Sequence, residues 1–298
     1  MRYFTLYSSC LFLSLHNFVI GNTSKSLEQS QSQKVERTSQ KMSSYMEEAC
    51  QLIEKQRIKD LLAYFKKEEV QKDPETQTLI GILYHDGRIF EQSDSKAAVW
   101  WEKAAIQGNA QAQSELAHLY FYGQGVEKSE EKGMFWLNKA LAQDSEIALQ
   151  ILGQKYYLGE GVPQDDKKAF ELFKKSASKG NLYAQYQLGM MYLQGRAIKQ
   201  DFSKAFTLLK RAADAGIMQA QFDLGAMYFN GEGVNVDRGQ GAVYMELAAR
   251  QGFADAQYAV GMIYVTYGSP EKARPWFEKA AAQGYRAAEI ELKKLASK

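Results

Sequence analysis

Residues 184–192 read Ala-Gln-Tyr-Gln-Leu-Gly-Met-Met-Tyr, and a related stretch returns every 36 residues along the chain. Each copy ends in a tyrosine, with a small residue three positions before it and an apolar residue four positions before it. An internal period of roughly 20 to 50 residues indicates stacked supersecondary units that pack against their neighbours. The six tyrosines that set this period are Tyr84, Tyr120, Tyr156, Tyr192, Tyr228 and Tyr264.

The segment before each tyrosine has the pattern of a helix. Counted from the tyrosine, an alanine at position −8 in five of the six copies, the apolar residue at −4 and the tyrosine itself share one helical face. The small residue at −3 lets a neighbouring helix approach closely, where a larger side chain would force the two helices apart. These small residues are Gly81, Gly153, Gly189, Gly225 and Gly261, with Ala117 in the second copy.

A loop and a second helix follow each tyrosine. Three of the loops read Gly-x-Gly-Val, and their glycines predict left-handed backbone where the first helix ends. A dinucleotide-binding site also uses closely spaced glycines, but it needs a preceding strand, and no strand pattern precedes these loops. In the second helix, small residues at +13 alternate with bulky residues at +17, as close antiparallel packing requires. We therefore predict an all-α array of helix-turn-helix repeats.

The pattern departs from its period at three places. The fourth and first loops carry Ala197 and Ile89 in place of the second glycine, so we expect a different loop conformation in these two repeats. The sixth loop, residues 267–270, is four residues shorter than the others. Pro275 stands inside the expected second helix of the same repeat, and we expect it to kink or displace that helix.

Together these motifs closely resemble the Sel-one-like repeat (SLR), a relative of the tetratricopeptide repeat (TPR). Residues 184–192 nearly match the first helix of that family, and the Gly-Glu-Gly-Val loops of the third and fifth copies extend the match. The resemblance covers about residues 74–288 and implies a right-handed α-solenoid that acts as a protein-interaction scaffold. Exported bacterial members of the family are often linked to the cell envelope or to host contact. Some exported relatives carry paired cysteines in each repeat, which this chain lacks.

The two ends of the chain differ from the repeats. Residues 1–21 join a positive start to a short apolar stretch, which predicts a secretory signal peptide; an ordinary amphipathic helix is the alternative. The stretch is too short and too polar to span a bilayer. Residues 22–44 are rich in Ser, Gln and Lys, which predicts a flexible linker. We expect a capping helical hairpin at residues 45–72, six repeats at residues 73–287 and a capping helix at residues 288–298.

Charge and cysteine content narrow the classes of function. The chain has 37 Lys and Arg residues against 35 Asp and Glu residues. This near-neutral balance argues against a nucleic-acid-binding protein, which usually carries a basic stripe. Loss of a signal peptide would remove Cys10 and leave Cys50 as the single thiol, so we expect no internal disulfide.

By analogy with the related fold, first-helix residues at −2, +1 and +2 line the concave wall of the array. This wall is aromatic and rich in amides, which suits recognition of a protein or peptide. The alternative is that these side chains pack against the adjoining helix; we favour packing for position +1 and binding for position +2. The residues expected to contact a partner are His118, Tyr122, Gln154, Tyr157, Met190, Gln194 and Asn230.

Two histidines and one glutamate are the candidates for chemistry. His85 and His118 lie in consecutive first helices, and Glu115 precedes His118 by one turn, so the three could hold a metal ion. The alternative is that they are polar groove residues. The sequence contains no catalytic-triad order, nucleotide loop or paired zinc motif, so we expect neither catalysis nor a cofactor.

These features predict an exported scaffold that binds a protein or peptide in its concave groove, in the periplasm or outside the cell. We expect it to be non-enzymatic and monomeric, without a transmembrane span and without affinity for nucleic acid. One alternative is an envelope enzyme or an enzyme inhibitor that uses the end of the groove at His85 and His118. A second alternative is a structural element that assembles through its ends.

Overall fold

The computed structural model describes residues 43–87 and 89–296. The expected signal peptide and the expected linker up to residue 42 lie outside the described residues. The described residues form helices and turns without a strand, which confirms the all-α prediction. The chain divides into two compact units, Met1–Leu152 and Gly153–Lys298.

Sixteen helices follow one another in the described residues. Three short ones precede the repeats: α1 Ser44–Glu54, α2 Ile58–Tyr64 and α3 Glu68–Lys72. The six repeats pair α4 Pro74–Asp86 with α5 Asp94–Ile106, α6 Ala110–Tyr122 with α7 Glu130–Ala142, α8 Glu146–Leu158 with α9 Asp166–Ser178, α10 Leu182–Gln194 with α11 Phe202–Asp214, α12 Met218–Asn230 with α13 Arg238–Arg250, and α14 Ala254–Thr266 with α15 Pro270–Ala282. The last helix is α16 Arg286–Ala296.

A serine cap joins the short helices to the first repeat. Ser43 accepts a hydrogen bond from the amide of Met46 at 3.2 Å and donates its hydroxyl proton to the Asp73 carboxylate at 3.0 Å. Asp73 in turn caps α4, since its carboxylate accepts the amide of Thr76 at 2.7 Å. Ser43, which lies within the predicted linker of residues 22–44, is therefore part of the folded chain.

The small residue at −3 is required because the bulky residue at +17 of the same repeat lies directly against it. A Cβ atom at Gly189 would stand 3.0 Å from Cγ of Leu209, and one at Gly153 would stand 2.8 Å from Cε1 of Phe173. Both bulky side chains are fully buried. Position −3 therefore lies at a close contact between the two helices of a repeat, as predicted.

Positions +1 and +13 form a second matched pair. The two repeats with phenylalanine at +1, Phe121 and Phe229, are the two with glycine at +13, Gly133 and Gly241. A Cβ atom at Gly241 would lie 2.6 Å from Cδ2 of Phe229. The other repeats carry alanine at the equivalent position, which in the sixth repeat is Ala273 because its loop is four residues shorter. The phenyl ring thus occupies the space that an alanine methyl group fills elsewhere.

The repeat tyrosine fixes the start of the second helix. Its carbonyl accepts a hydrogen bond from the amide of the residue that caps this helix, at 2.9 Å from Asp165 to Tyr156 and 3.0 Å from Asp201 to Tyr192. In the first four repeats a lysine of the second helix covers the ring, as Lys204 does with its Nζ atom 5.2 Å from the ring centroid of Tyr192. Each tyrosine therefore closes the loop of its own repeat.

The loop glycines adopt the left-handed backbone that was predicted for them. Gly233 has φ 72°, and Ala197, at the same position in the fourth repeat, has φ 67°. The expectation of a different conformation in the fourth loop was therefore wrong. Left-handed backbone costs a non-glycine residue roughly 1–2 kcal/mol, and the neighbouring Arg196 offsets it by binding the Asp166 carboxylate at 2.8 and 2.7 Å. For the first loop, which contains an undescribed residue, the expectation stays a prediction.

Pro275 lies inside α15 and does not displace it, so that expectation was also wrong. The helix runs over the same length as the other second helices, and its core residues Ala273 and Phe277 are fully buried. Phe277 lies against Gly261, at the same close contact as in the other repeats. Core packing therefore holds the helix in place despite the missing amide.

Paired glutamines join a repeat to the one before it. Gln143 Nε2 donates to Gln113 Oε1 at 2.8 Å and to the carbonyl of Gly108, at the end of α5, at 3.0 Å. Gln113 Nε2 donates to the carbonyl of Ala105 in α5 at 3.0 Å. The same pairing recurs between Gln221 and Gln251 and between Gln257 and Gln283.

The fourth repeat lacks the second glutamine of this pair. Ala215 stands at its position, and Oε1 of Gln185 is buried without a hydrogen-bond partner. One hydrogen bond to the preceding repeat remains, from Gln185 Nε2 to the carbonyl of Ala177 at 3.3 Å.

None of the described helices combines the length and the apolar character needed to cross a membrane.

Candidate partner-binding face

The first helices present one side that does not pack against their own second helices. Residues at −6, −5, −2 and +2 share this side, because three- and four-residue spacings place side chains one above another. We call these positions the first-helix face and describe it separately in each of the two units. Position +1 lies beside this face, and there Phe121 and Phe229 pack against the glycines of α7 and α13.

The +2 side chains that are predicted to contact a partner are exposed. Tyr122 is 42% exposed, and Gln194 and Asn230 are also exposed. The ring centroid of His118, one turn before Tyr122, lies 4.6 Å from that of Tyr122. Asn230 Nδ2 donates to Glu232 Oε1 at 3.5 Å. These side chains can therefore meet a partner without unfolding a helix.

Tyr157 is fixed by the arginine of the next loop. The Arg196 guanidinium lies 3.8 Å from the ring centroid of Tyr157, and an Arg196 Nη2–H donates to the carbonyl of Tyr157 at 3.1 Å. The Tyr157 hydroxyl donates to Gln194 Oε1 at 3.5 Å. The structure thus brings two of the expected partner-binding residues, Tyr157 and Gln194, into contact.

The other expected residues have mixed surroundings. Met190 packs against the buried cluster that contains Leu209 and Leu224. Gln154 Oε1 is buried without a hydrogen-bond partner. Met190 is therefore partly a core residue, while Gln154 keeps an acceptor that no described donor reaches.

A half-buried carboxylate on the same face was missed by sequence reasoning. The Tyr186 hydroxyl, at −6 in α10, donates to Asp223 Oδ2, at −5 in α12, at 3.0 Å. Burial raises the pKa of Asp223 to about 6, and the negative charge of Asp255 acts in the same direction. Asp223 makes no ion pair with a basic side chain among the described residues. The only sequence signal was a charged residue at a position that is otherwise mostly uncharged.

The two histidines of the first and second repeats, His85 and His118, have different surroundings. His85 Nδ1 lies 2.7 Å from Asp94 Oδ1, and its ring lies beside Trp101. Burial lowers the pKa of His118 to about 4, with a smaller effect of His85 in the same direction, so His118 is neutral at pH 7. Glu115 is buried in the same helix. Within residues 43–87 and 89–296, no three His, Cys, Asp or Glu side chains are grouped as a metal ion would need.

Comparisons with known proteins agree with this architecture. The Sel1 repeat matches residues 74–109, 110–145, 147–181, 182–217, 219–253 and 254–285. A Sel1 repeat protein from Oxalobacter formigenes shares 28% identity and a TM-score of 0.64, over 80% of this chain and 99% of its own. A protective antigen of uropathogenic Escherichia coli strains that displays an SLR fold shares 29% identity and a TM-score of 0.57, over 81% of this chain. This chain spans about half, 52%, of that antigen. No curated protein matches the chain.

Proposed function

Because the chain belongs to the Sel1 repeat family, whose members are generally non-enzymatic protein-interaction scaffolds, we propose that it binds a partner protein or peptide on its first-helix face. The observation that carries this proposal is Asp223. Its carboxylate is half-buried and has a raised pKa. It lies on the face whose +2 residues Gln194 and Asn230 are exposed. Burying a carboxylate without a basic partner costs stability, so a bound lysine or arginine would remove that cost.

The partner segment that fits this face is extended. It carries both apolar and polar side chains, and at least one of its side chains is basic. Aromatic and sulphur-containing side chains line the face in the second unit, with Tyr186 and Met190 half-buried beside Asp223 and Gln194. Aromatic residues bury a large area at a small entropic cost, and exposed amides supply hydrogen bonds at the rim. In the first unit, Tyr122 is the corresponding anchor.

We further propose that the protein acts outside the cytoplasm, in the periplasm or beyond the cell. The basis is the start of the chain, where a positive residue precedes a short apolar stretch followed by Gly21 and Asn22. Cell fractionation with a C-terminal tag, together with the N-terminal sequence of the mature chain, tests this proposal. A chain that keeps Met1 and stays in the cytoplasmic fraction would contradict it.

The binding proposal is tested by capture of partners on the chain from residue 22 onward, followed by affinity measurements with the captured protein. We expect Gln194→Ala with Asn230→Ala, and separately Asp223→Asn, to weaken binding while the melting temperature does not fall. Tyr122→Ala should reduce affinity by about 2 kcal/mol if the first unit also takes part. The matched control is Lys167→Ala, an exposed residue of the second helix α9.

Two results would oppose the proposal. Unchanged affinity in all of these variants, together with a loss in Lys167→Ala, would place the contact on the second helices. A fall in melting temperature that accounts for the loss of binding in Tyr122→Ala would mean that this ring stabilises the fold instead.

A further inference from the structure

The loop of a repeat is seated on the second helix of the repeat before it. A Cβ atom at Gly125 would overlap the backbone between Asp94 and Ser95, at the start of α5. A Cβ atom at Gly233 would overlap the backbone of Phe202, at the start of α11. In these two repeats the backbones touch at +5, and glycine leaves the room that this contact needs.

We call the surface at the start of a second helix, where the loop of the next repeat lies, the seat of that loop. Two side chains of the loop complete the contact with the seat. Val126, at +6, packs against the apolar cluster of α5 that contains Ala98, and Ile198, at +6 in the fourth repeat, packs against the cluster of α9. Arg196, at +4, pairs with Asp166, which is the +10 residue of the preceding repeat, at 2.7 Å. These contacts show that an aliphatic side chain and a close backbone fill the seat, and in the fourth repeat a charged pair between +4 and +10 is added.

The sixth repeat has lost this loop, and the corresponding seat on α13 is open. No heavy atom lies within 4 Å of a Cβ atom built at Gly268, in the shortened loop, so the backbone at this glycine makes no contact like the one that Gly233 makes with α11. A cavity of about 240 Å³ lies between α13 and α14. Its lining includes Arg238, Gly239 and Ala242 from α13, Val260 and Ile263 from α14, and Tyr267 from the shortened loop.

The lining residues correspond by position to those of an occupied seat. Arg238 and Gly239 stand at +10 and +11 of the fifth repeat, where Asp94 and Ser95 stand in the first. Arg238 makes no ion pair within the part of the chain that the structure describes. The other charge in the cavity, Glu246, is already bound by Arg250 at 2.6 Å. The open seat therefore offers one unused positive charge at +10.

We propose that this open seat binds a short turn of a partner polypeptide with the pattern glycine, acidic residue, glycine, valine or isoleucine. The acidic residue would pair with Arg238, in the reverse polarity of the Arg196–Asp166 pair, and the aliphatic side chain would enter the cavity between Ala242 and Ile263. The bound turn would continue the interface that successive repeats already make with one another. The cavity is smaller than the roughly 300–1,000 Å³ of small-molecule sites, which favours a few residues of peptide over a cofactor.

The probe is a blocked peptide with the chain's own sequence 230–236, Asn-Gly-Glu-Gly-Val-Asn-Val, added to the full chain. We expect saturable NMR shifts of the Val260 and Ile263 methyl groups. A peptide with lysine in place of the glutamate should bind at least about tenfold more weakly, which corresponds to the loss of one charged pair. A peptide with serine in place of the first valine should give no saturable shift.

Two variants of the chain provide the controls. In Arg238→Glu, whose side chain is exposed, the preference should reverse so that the lysine peptide binds more tightly. In a variant with Gly-Glu-Gly-Val inserted before Gly268, the restored loop should fill the seat and abolish binding. The proposal is overturned by a lack of saturable shifts, by equal affinity for both peptides, or by binding that survives loop restoration. Shifts of the same methyl groups with protein concentration alone would overturn it in favour of a second copy of the chain.

Discussion

At the scale of a single residue, the glutamine pairs reveal a position where a hydrogen bond is missing. We predict that Ala215→Gln raises the free energy of unfolding by about 1 kcal/mol, because the new amide would donate to Gln185 Oε1 and to the carbonyl of Gly180. The backbone is already suitable, since Ala215 has φ −80° and ψ 2° and the paired Gln251 has φ −76° and ψ −4°. Chemical denaturation of the two proteins measures the change.

The control for this prediction is a double-mutant cycle. In a Gln185→Leu background the new amide keeps only the carbonyl of Gly180 as an acceptor, so the gain should become smaller. An equal gain in both backgrounds would mean that the new side chain stabilises α11 in some other way.

Also at this scale, the close contact at −3 makes Gly189 intolerant of a larger side chain. We predict that Gly189→Leu lowers the free energy of unfolding by about 1–3 kcal/mol or more, because even a Cβ atom there stands 3.0 Å from Leu209. Thermal melting checks the loss. The exposed Thr207→Leu in α11 is the comparison, and an equal effect of both substitutions would rule out the tight contact as the cause.

At the scale of the element, α15 carries a proline that the fold tolerates at a cost. Pro275 is exposed, and its ring replaces an amide that would donate to the carbonyl of Glu271. We predict that Pro275→Ala stabilises the chain by up to about 3 kcal/mol, since proline in a helix interior is that much less favourable than alanine. Denaturant unfolding measures this. No gain would mean that the unfolded chain benefits as much from the loss of proline as the folded chain does.

The elements also show how far sequence reasoning reaches. The helices and their close contact at −3 follow from a period that six copies repeat. The departures at Ala197 and Pro275 could not be judged from local preference, because contacts made by Arg196 and Phe277 override it. The Tyr186–Asp223 bond joins residues 37 positions apart and occurs once, so no periodic signal marks it. Exposure at +2 could be anticipated from helical spacing, while this pairing needed the packed structure.

At the scale of the whole molecule, Asp223 makes stability depend on pH. Its pKa of about 6 in the folded chain lies above the ordinary value of 3.8, so the folded state holds this proton more tightly than the unfolded state does. The resulting destabilisation is fully present above pH 6 and fades as the pH falls from 6 toward 3.8. We predict that Asp223→Asn raises the free energy of unfolding by on the order of 2 kcal/mol at pH 7.5 and by little below pH 4.

Unfolding curves at these two pH values give the comparison. A gain of equal size at both would mean that the carboxylate is not strained by its burial. The same variant should bind a basic partner less well, so stability and recognition are expected to change in opposite directions.

The pairing of phenylalanine at +1 with glycine at +13 has a consequence for how such a chain can grow. A duplicated first helix joined to a foreign second helix would bring Phe229 against an alanine, and the phenyl ring would have no space. A hairpin copied whole keeps both members of the pair and fits wherever its flanking contacts are met. The unit that can be duplicated without loss of packing is therefore the whole hairpin. Recombination within the loop between its two helices would separate the phenylalanine at +1 from the glycine at +13.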